Sequence, residues 1–201
     1  MSILVIETAT AACSAALVAG DEVLAAAHEV VGRGHAERLV PMIAELIERR
    51  ARPDAVLVDC GPGSFTGVRV GLAAARAFAL GWGVPVTGFS SLALLAAMAR
   101  EEEAVGVAIP GGHGELFFQS YAPSLEALSP LRSMKPDEAA AALPERIVIG
   151  PGAPALIEAR GWGEARETLP DARDAVLLTE ALATLPPTPI YGRAPDAKLP
   201  A

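Results

Sequence analysis

The chain has 201 residues, 52% hydrophobic and only 4% aromatic, so its core must be built from small aliphatic side chains. A formal charge of −8 excludes a protein that coats a nucleic-acid duplex, because neutralising phosphates takes clustered Lys and Arg. Apolar runs are broken by Arg, Gly or Glu well short of the ~18 residues a membrane span needs. Cys13 and Cys60 form no CxxC pair and no signal segment opens the chain, so a reduced cytoplasmic protein is expected.

Three apolar runs come first, Ile3 to Ile6, Cys13 to Val18 and Glu22 to Ala27. Breaks at Glu7-Thr8 and Gly20-Asp21 predict an antiparallel meander with a hairpin at the second break. From Gly34 to Arg50, Leu39, Val40, Ile43, Leu46 and Ile47 recur three and four apart, which predicts a helix ended by Pro53. Ala55 to Val58 reads as a buried strand, followed by Gly61-Pro-Gly-Ser-Phe-Thr-Gly67 and a second helix to about Trp82. Val84 to Thr87 predicts another strand, and Ser91 to Arg100 a helix capped by Ser90 or Ser91.

The order begins again after Glu101-Glu102-Glu103, which divides the chain into expected lobes 1–103 and 104–201. Val105 to Ile109 and Leu116 to Tyr121 predict a strand pair around Gly111-Gly112-His113-Gly114. Helices are expected at Pro136 to Leu143, Ala153 to Arg160 and Asp171 to Leu185, with a short strand at Ile147 to Ile149. Pro186, Pro187, Pro189, Pro195 and Pro200 require an extended tail.

The glycine segment Gly61 to Gly67 is the first place to look for chemistry. Gly61, Gly63, Ser64 and Thr66 lead into a helix, where free N–H groups and the helix dipole can hold an anion. No Lys follows, so the P-loop form is absent, and no dinucleotide fingerprint fits. The other reading is a tight strand-to-helix turn. Arg69 in the first turn opposes the macrodipole, so an internal carboxylate such as Glu7 or Glu37, or an external anion, should offset it. Along the same helix Gly67, Gly71, Ala75 and Ala79 form a small-residue stripe flanked by Val68, Leu72 and Phe78. Such a stripe is either buried within the lobe or lines a subunit interface.

His28, His35 and His113 are isolated from one another. Leu39 stands four residues after His35, where a second histidine of a metal pair would be, so no metal is expected and His35 reads as solvated or helix-capping. Thr66 replaces the last glycine of Gly-x-Ser-x-Gly around Ser64, so no nucleophile elbow is present.

Ile3-Leu-Val-Ile-Glu-Thr-Ala-Thr10, Cys13 to Leu17, His35-Ala-Glu-Arg-Leu-Val-Pro41, Gly61-Pro-Gly-Ser-Phe-Thr-Gly-Val-Arg-Val-Gly71, Pro85 to Leu92 and Pro189-Ile-Tyr-Gly-Arg193 resemble the TsaB (YeaZ) family. The resemblance covers the first lobe almost continuously and the second weakly. It implies an α/β actin-like ATPase (ribonuclease H-like) fold, with two lobes of mixed sheet flanked by helices and the second reduced. Glu7-Thr8 stands where the family has Asp-Thr. Pro110, Gly111 and Gly112 stand where it has Asp-Ala-Arg, so no role of that Asp and Arg is carried over.

The resemblance further implies a non-catalytic subunit of the machinery that attaches threonylcarbamoyl to the tRNA adenosine next to the anticodon. Its partners would be the catalytic paralogue TsaD and the ATPase TsaE, with a homodimer when TsaD is absent. Contact with tRNA would come only through the complex, and no cofactor or membrane is implied. Gly67, Val68, Gly71, Leu72, Ala75, Phe78 and Ala79 would then be interface residues. Glu7, Thr8, His35, Gly61, Gly63, Ser64, Thr66 and Arg69 would be motif residues without an assigned role. The alternatives are a small-molecule kinase of the actin-like fold and a zinc peptidase-like protein.

Overall fold

A computed structural model describes residues 1–48 and 50–193. Pro195 and Pro200, assigned above to an extended tail, lie outside the described residues. Two five-stranded mixed sheets carry the fold, and they share one strand order. In the first, β1 (Ile3–Glu7), β2 (Ala12–Ala19) and β3 (Glu22–Val30) form an antiparallel meander. β4 (Ala55–Asp59) and β5 (Val86–Phe89) then add in parallel, giving the order β3-β2-β1-β4-β5. The second sheet repeats this with β6 (Val105–Gly112), β7 (Glu115–Tyr121), β8 (Arg132–Met134), β9 (Ile147–Ile149) and β10 (Glu164–Arg166), in the order β8-β7-β6-β9-β10. Even the turn after the fourth strand recurs, as Gly61-Pro62-Gly63 and Gly150-Pro151-Gly152.

Apolar runs in the central strands follow from burial on both faces. Leu4, Ile6, Val56 and Val58 point to one side of the first sheet, under α1 (His35–Ile47) and α2 (Phe65–Trp82). Val5 and Leu57 point to the other, where Leu94 of α3 (Ser91–Ala99) and the small Ala172 and Ala175 pack. Leu92 and Leu95 of α3 pack instead against Val107 and Ile149 of the second sheet, so this helix lies between the sheets. α4 (Pro136–Ala142) and α5 (Ala153–Arg160) cover the outer face of the second sheet. The chain from Ala172 onward returns to the first sheet, where Leu185 pairs with Gly88 at the β5 edge.

Several expectations need correction. α1 stops at Ile47, before Arg50, and carries Pro41 inside it. β5 begins at Val86 rather than Val84. Ser90 occupies the cap position of α3 without a side-chain cap bond, and the Ser91 hydroxyl is used elsewhere. The helix expected from Asp171 to Leu185 is two short 3-10 turns, Ala172–Leu177 and Glu180–Ala183, separated by extended Leu178 and Thr179. A continuous α-helix advances only ~1.5 Å per residue. The broken form lets Ala172 N–H reach Ser14 Oγ at one end and Leu185 reach Gly88 at the other. β8 and β10, three residues each, were not legible because they are edge strands with little apolar content.

Candidate functional site

The first-sheet motif residues converge where β1 and β4 end and α2 begins. Gly61 sits at φ +89°, a left-handed value suited to glycine. Its N–H donates to Asp59 Oδ1 at 2.5 Å, and the Ser64 N–H donates to the Ala9 carbonyl at 2.6 Å. Ser64 caps α2 by accepting from Gly67 N–H at 3.2 Å. Gly61, Ser64 and Gly67 thus donate their N–H groups within the protein, which favours the tight-turn reading over the phosphate reading.

Helix α2 lies close on the β1–β2 turn. Thr8 Oγ1 donates to the Gly67 carbonyl at 2.8 Å. A Cβ on Gly67 would overlap the Thr8 carbonyl oxygen, and one on Gly71 would overlap Thr8 Oγ1. The small-residue stripe is thus explained from within the lobe. Gly67, Val68, Gly71, Leu72, Ala75 and Ala79 are all buried, and Phe78 is partly buried and stacked on Trp82. The six buried residues are covered within their own lobe and cannot also cover a partner, so the interface assigned to them is corrected, while Phe78 stays partly exposed. The face that α2 leaves open carries Phe65, Thr66, Arg69, Ala73, Arg76, Ala77 and Leu80, with Phe65 67% and Leu80 86% exposed. α1, packed beside it over the same sheet, exposes Ala36, Glu37, Val40, Pro41, Ala44 and Glu45.

His35 is neither solvated nor a side-chain cap. It is buried, and its Nε2 lies 3.0 Å from the carbonyl oxygens of both Thr10 and Ala12. Two acceptors require that nitrogen to carry the hydrogen, so the ring pins the start of α1 to the β1–β2 turn. Arg69 is paired with neither Glu7 nor Glu37. Its guanidinium lies 3.2 Å over the Phe65 ring and donates to the Tyr191 hydroxyl at 3.0 Å.

Glu7 and Asp59 are a buried carboxylate pair, of which Asp59 was not singled out in the sequence. The register aligns Ile6 with Val58, so the two acids end neighbouring strands. They share the face of Val5 and Leu57 by strand alternation. Glu7 Oε1 accepts from Ala9 N–H at 2.7 Å and Oε2 from Ser14 Oγ at 3.4 Å. Asp59 Oδ1 accepts from Ser91 Oγ at 2.8 Å, while its Oδ2 has no hydrogen-bond partner among the described residues. Burial holds the Glu7 carboxyl well above its ordinary range, and the Asp59 charge adds to this. Burial also raises Asp59, to about 7, against the opposing bonds from Gly61 and Ser91. Among the described residues no group of three or more His, Cys, Asp or Glu is gathered as a metal site, and no helix is long and apolar enough to cross a membrane.

Two mixed sheets of identical strand order, with α2 entering from the end of the fourth strand, define a two-lobed actin-like α/β protein. Residues 26–158 match the TsaD family, described as tRNA N6-adenosine threonylcarbamoyltransferase, and the chain belongs to that family, with its TsaB (YeaZ) members. It is 38% identical over 128 residues to the tRNA threonylcarbamoyladenosine biosynthesis protein TsaB of Escherichia coli (strain K12), covering 60% of this chain and 55% of that one. The TsaB of Haemophilus influenzae is 37% identical over 125 residues, covering 59% of this chain and 52% of the relative. The chain spans about half the length of the curated relatives it matches. YeaZ from Pseudomonas aeruginosa superposes with a TM-score of 0.77 at 30% identity, over 88% of this chain and 89% of the other. A second Pseudomonas aeruginosa structure, described as an uncharacterized protein with similarity to peptidase YeaZ, gives 0.78 at 29% identity over 96% and 99% of the two chains.

Proposed function

We propose that this chain is a non-catalytic subunit in tRNA threonylcarbamoyladenosine biosynthesis, docking a TsaD-type catalytic subunit on the open faces of α1 and α2, with TsaE joining the complex. One observation carries the reading: α2 exposes Leu80 and Phe65 along with Ala73 and Ala77, and the neighbouring α1 exposes Val40. Large exposed apolar side chains between small ones fit a helix-to-helix contact. The acids nearest the glycine loop, Glu7 and Asp59, are fully buried, so they are poorly placed to act on a macromolecular substrate. Transfer of the threonylcarbamoyl group would then be the work of the catalytic subunit, and this chain would position it.

The test is reconstitution. The purified chain alone should show no transfer to tRNA. Adding the cognate TsaD and TsaE, with threonylcarbamoyl-adenylate and ATP, should give activity. Leu80→Glu should remove that activity and the binding to TsaD while leaving the thermal melt unchanged, because a charge in an apolar contact opposes association. Transfer by the chain alone, or full activity of TsaD and TsaE without it, would overturn the reading.

A further inference from the structure

Within an acidic chain of net charge −8, helix α2 contains two arginines and no Asp or Glu. Arg69 and Arg76 are two turns apart on its open face and both are exposed. Elsewhere, Arg38 meets Glu29 and Glu45, and Arg146 meets Glu103 and Glu164. Arg69 and Arg76 meet only neutral oxygens: the Tyr191 hydroxyl at 3.0 Å and the Pro187 carbonyl at 2.5 Å, each through Nη2. Among the described residues no carboxylate pairs with either. Arg69 is the fifth residue of α2, past the first turn, so the missing carboxylate and not the helix dipole leaves its charge unbalanced.

Both guanidiniums are nevertheless held in place. Arg69 is stacked on Phe65 with Tyr191 against it, and Arg76 is tied to the segment that crosses from Leu185 to Arg193. A guanidinium has five donors in a rigid fork, so four remain on each for a bidentate acceptor. Anchoring the fork in advance lowers the entropy lost when an acceptor arrives.

We propose that the surface docking on α2 carries carboxylates that close on Arg69 and Arg76, making this contact electrostatically selective. This rests on the docking reading above and adds the chemistry of the partner. A second copy that set its acid-free α2 against α2 would bring like charges together, and on the open faces of the two helices it could offer carboxylates only from Glu37 and Glu45 of its α1. α2 by itself therefore fits an acidic surface better than it fits a second α2.

The test compares the intact chain with the double variant Arg69→Gln/Arg76→Gln, in binding to the cognate TsaD at about 0.1 M and about 1 M salt, between which the screening length falls from about 10 Å to about 3 Å. Wild-type affinity should fall with salt. The double variant should bind roughly tenfold more weakly at low salt, with the salt dependence flattened. Arg69→Lys/Arg76→Lys should keep the salt dependence, since the charge remains. Self-association of the double Gln variant, by sedimentation, should be at least that of wild type. A double Gln variant that binds TsaD like wild type, while Leu80→Glu abolishes binding, would overturn this inference and leave the docking reading standing. Binding insensitive to Leu80→Glu as well would remove both. Self-association weakened as much as TsaD binding would also overturn it, by showing that a second copy is the occupant.

Discussion

Ser91 Oγ donates to Asp59 Oδ1 at 2.8 Å, tying the start of the inter-sheet helix α3 to a fully buried carboxylate whose other oxygen has no hydrogen-bond partner among the described residues. Both Asp59 and its neighbour Glu7 hold their protons above the ordinary carboxylate range. For Asp59, raised from 3.8 to about 7, the folded state binds the proton more tightly than the unfolded chain does. Stability from this group is therefore greatest below its unfolded value, declines as pH rises towards 7, and stays reduced above it. Asp59→Asn removes the buried charge at every pH. The variant should melt above wild type at pH 8, and the gap should shrink progressively towards pH 5. Thermal melts of both proteins across that range check the sign; a gap that grows on acidification would contradict it.

Gly67 and Gly81 lie in the same helix and should respond oppositely to alanine. At Gly67 a Cβ would overlap the Thr8 carbonyl oxygen, a backbone atom that cannot swing aside. Overpacking of this kind costs roughly 1–3 kcal/mol, more than the ~1 kcal/mol of helix propensity gained. At Gly81 a Cβ meets nothing within 4 Å, so Gly81→Ala should stabilise by about 0.5–1 kcal/mol. Urea titrations of the two variants, with unchanged slopes, would show both signs.

His35→Ala should unpin the start of α1. It would leave the Thr10 and Ala12 carbonyls without their donor, at roughly 1–3 kcal/mol. Amide exchange should rise first in the β1–β2 turn and the first turn of α1. An unchanged melt would mean that the ring's two bonds are replaced without cost.

The isolated chain should bind ATP-Mg no tighter than millimolar. Gly61, Ser64 and Gly67 N–H groups are already donated within the protein, to Asp59 Oδ1, Ala9 O and Ser64 Oγ. An anion at those three positions would have to displace existing bonds before it gained any. Titration calorimetry showing micromolar binding would refute this and favour a kinase-type activity.

Much of the fold was legible because hydrophobic periodicity is local. The meander from Ile3 and the helix through Leu39 and Ile43 are each specified by apolar spacing and by the breaks around them. Asp171 to Leu185 shows the same rule failing. Its alanine-rich pattern suits a helix, yet it folds as two 3-10 turns because Ser14 and Gly88 hold its ends. At the site, Gly61 to Gly67 and Arg69 were visible as special, whereas Asp59 was not, since an Asp closing an apolar strand looks like an ordinary turn residue.

By itself the sequence determined most of the strands and helices of the first sheet, the family motif, and that α2 is apolar, rich in Gly and Ala, and free of acids. Only the tertiary structure decided which side of α2 is used. Thr8 and its carbonyl occupy the space beside Gly67 and Gly71, so the small-residue stripe is spent on the lobe's own core. Phe65, Arg69, Ala73, Arg76, Ala77 and Leu80 are left outward. Periodicity reports that a helix has two faces, but which face is covered depends on atoms nearly sixty residues away, Thr8 against Gly67, and no local pattern carries that distance.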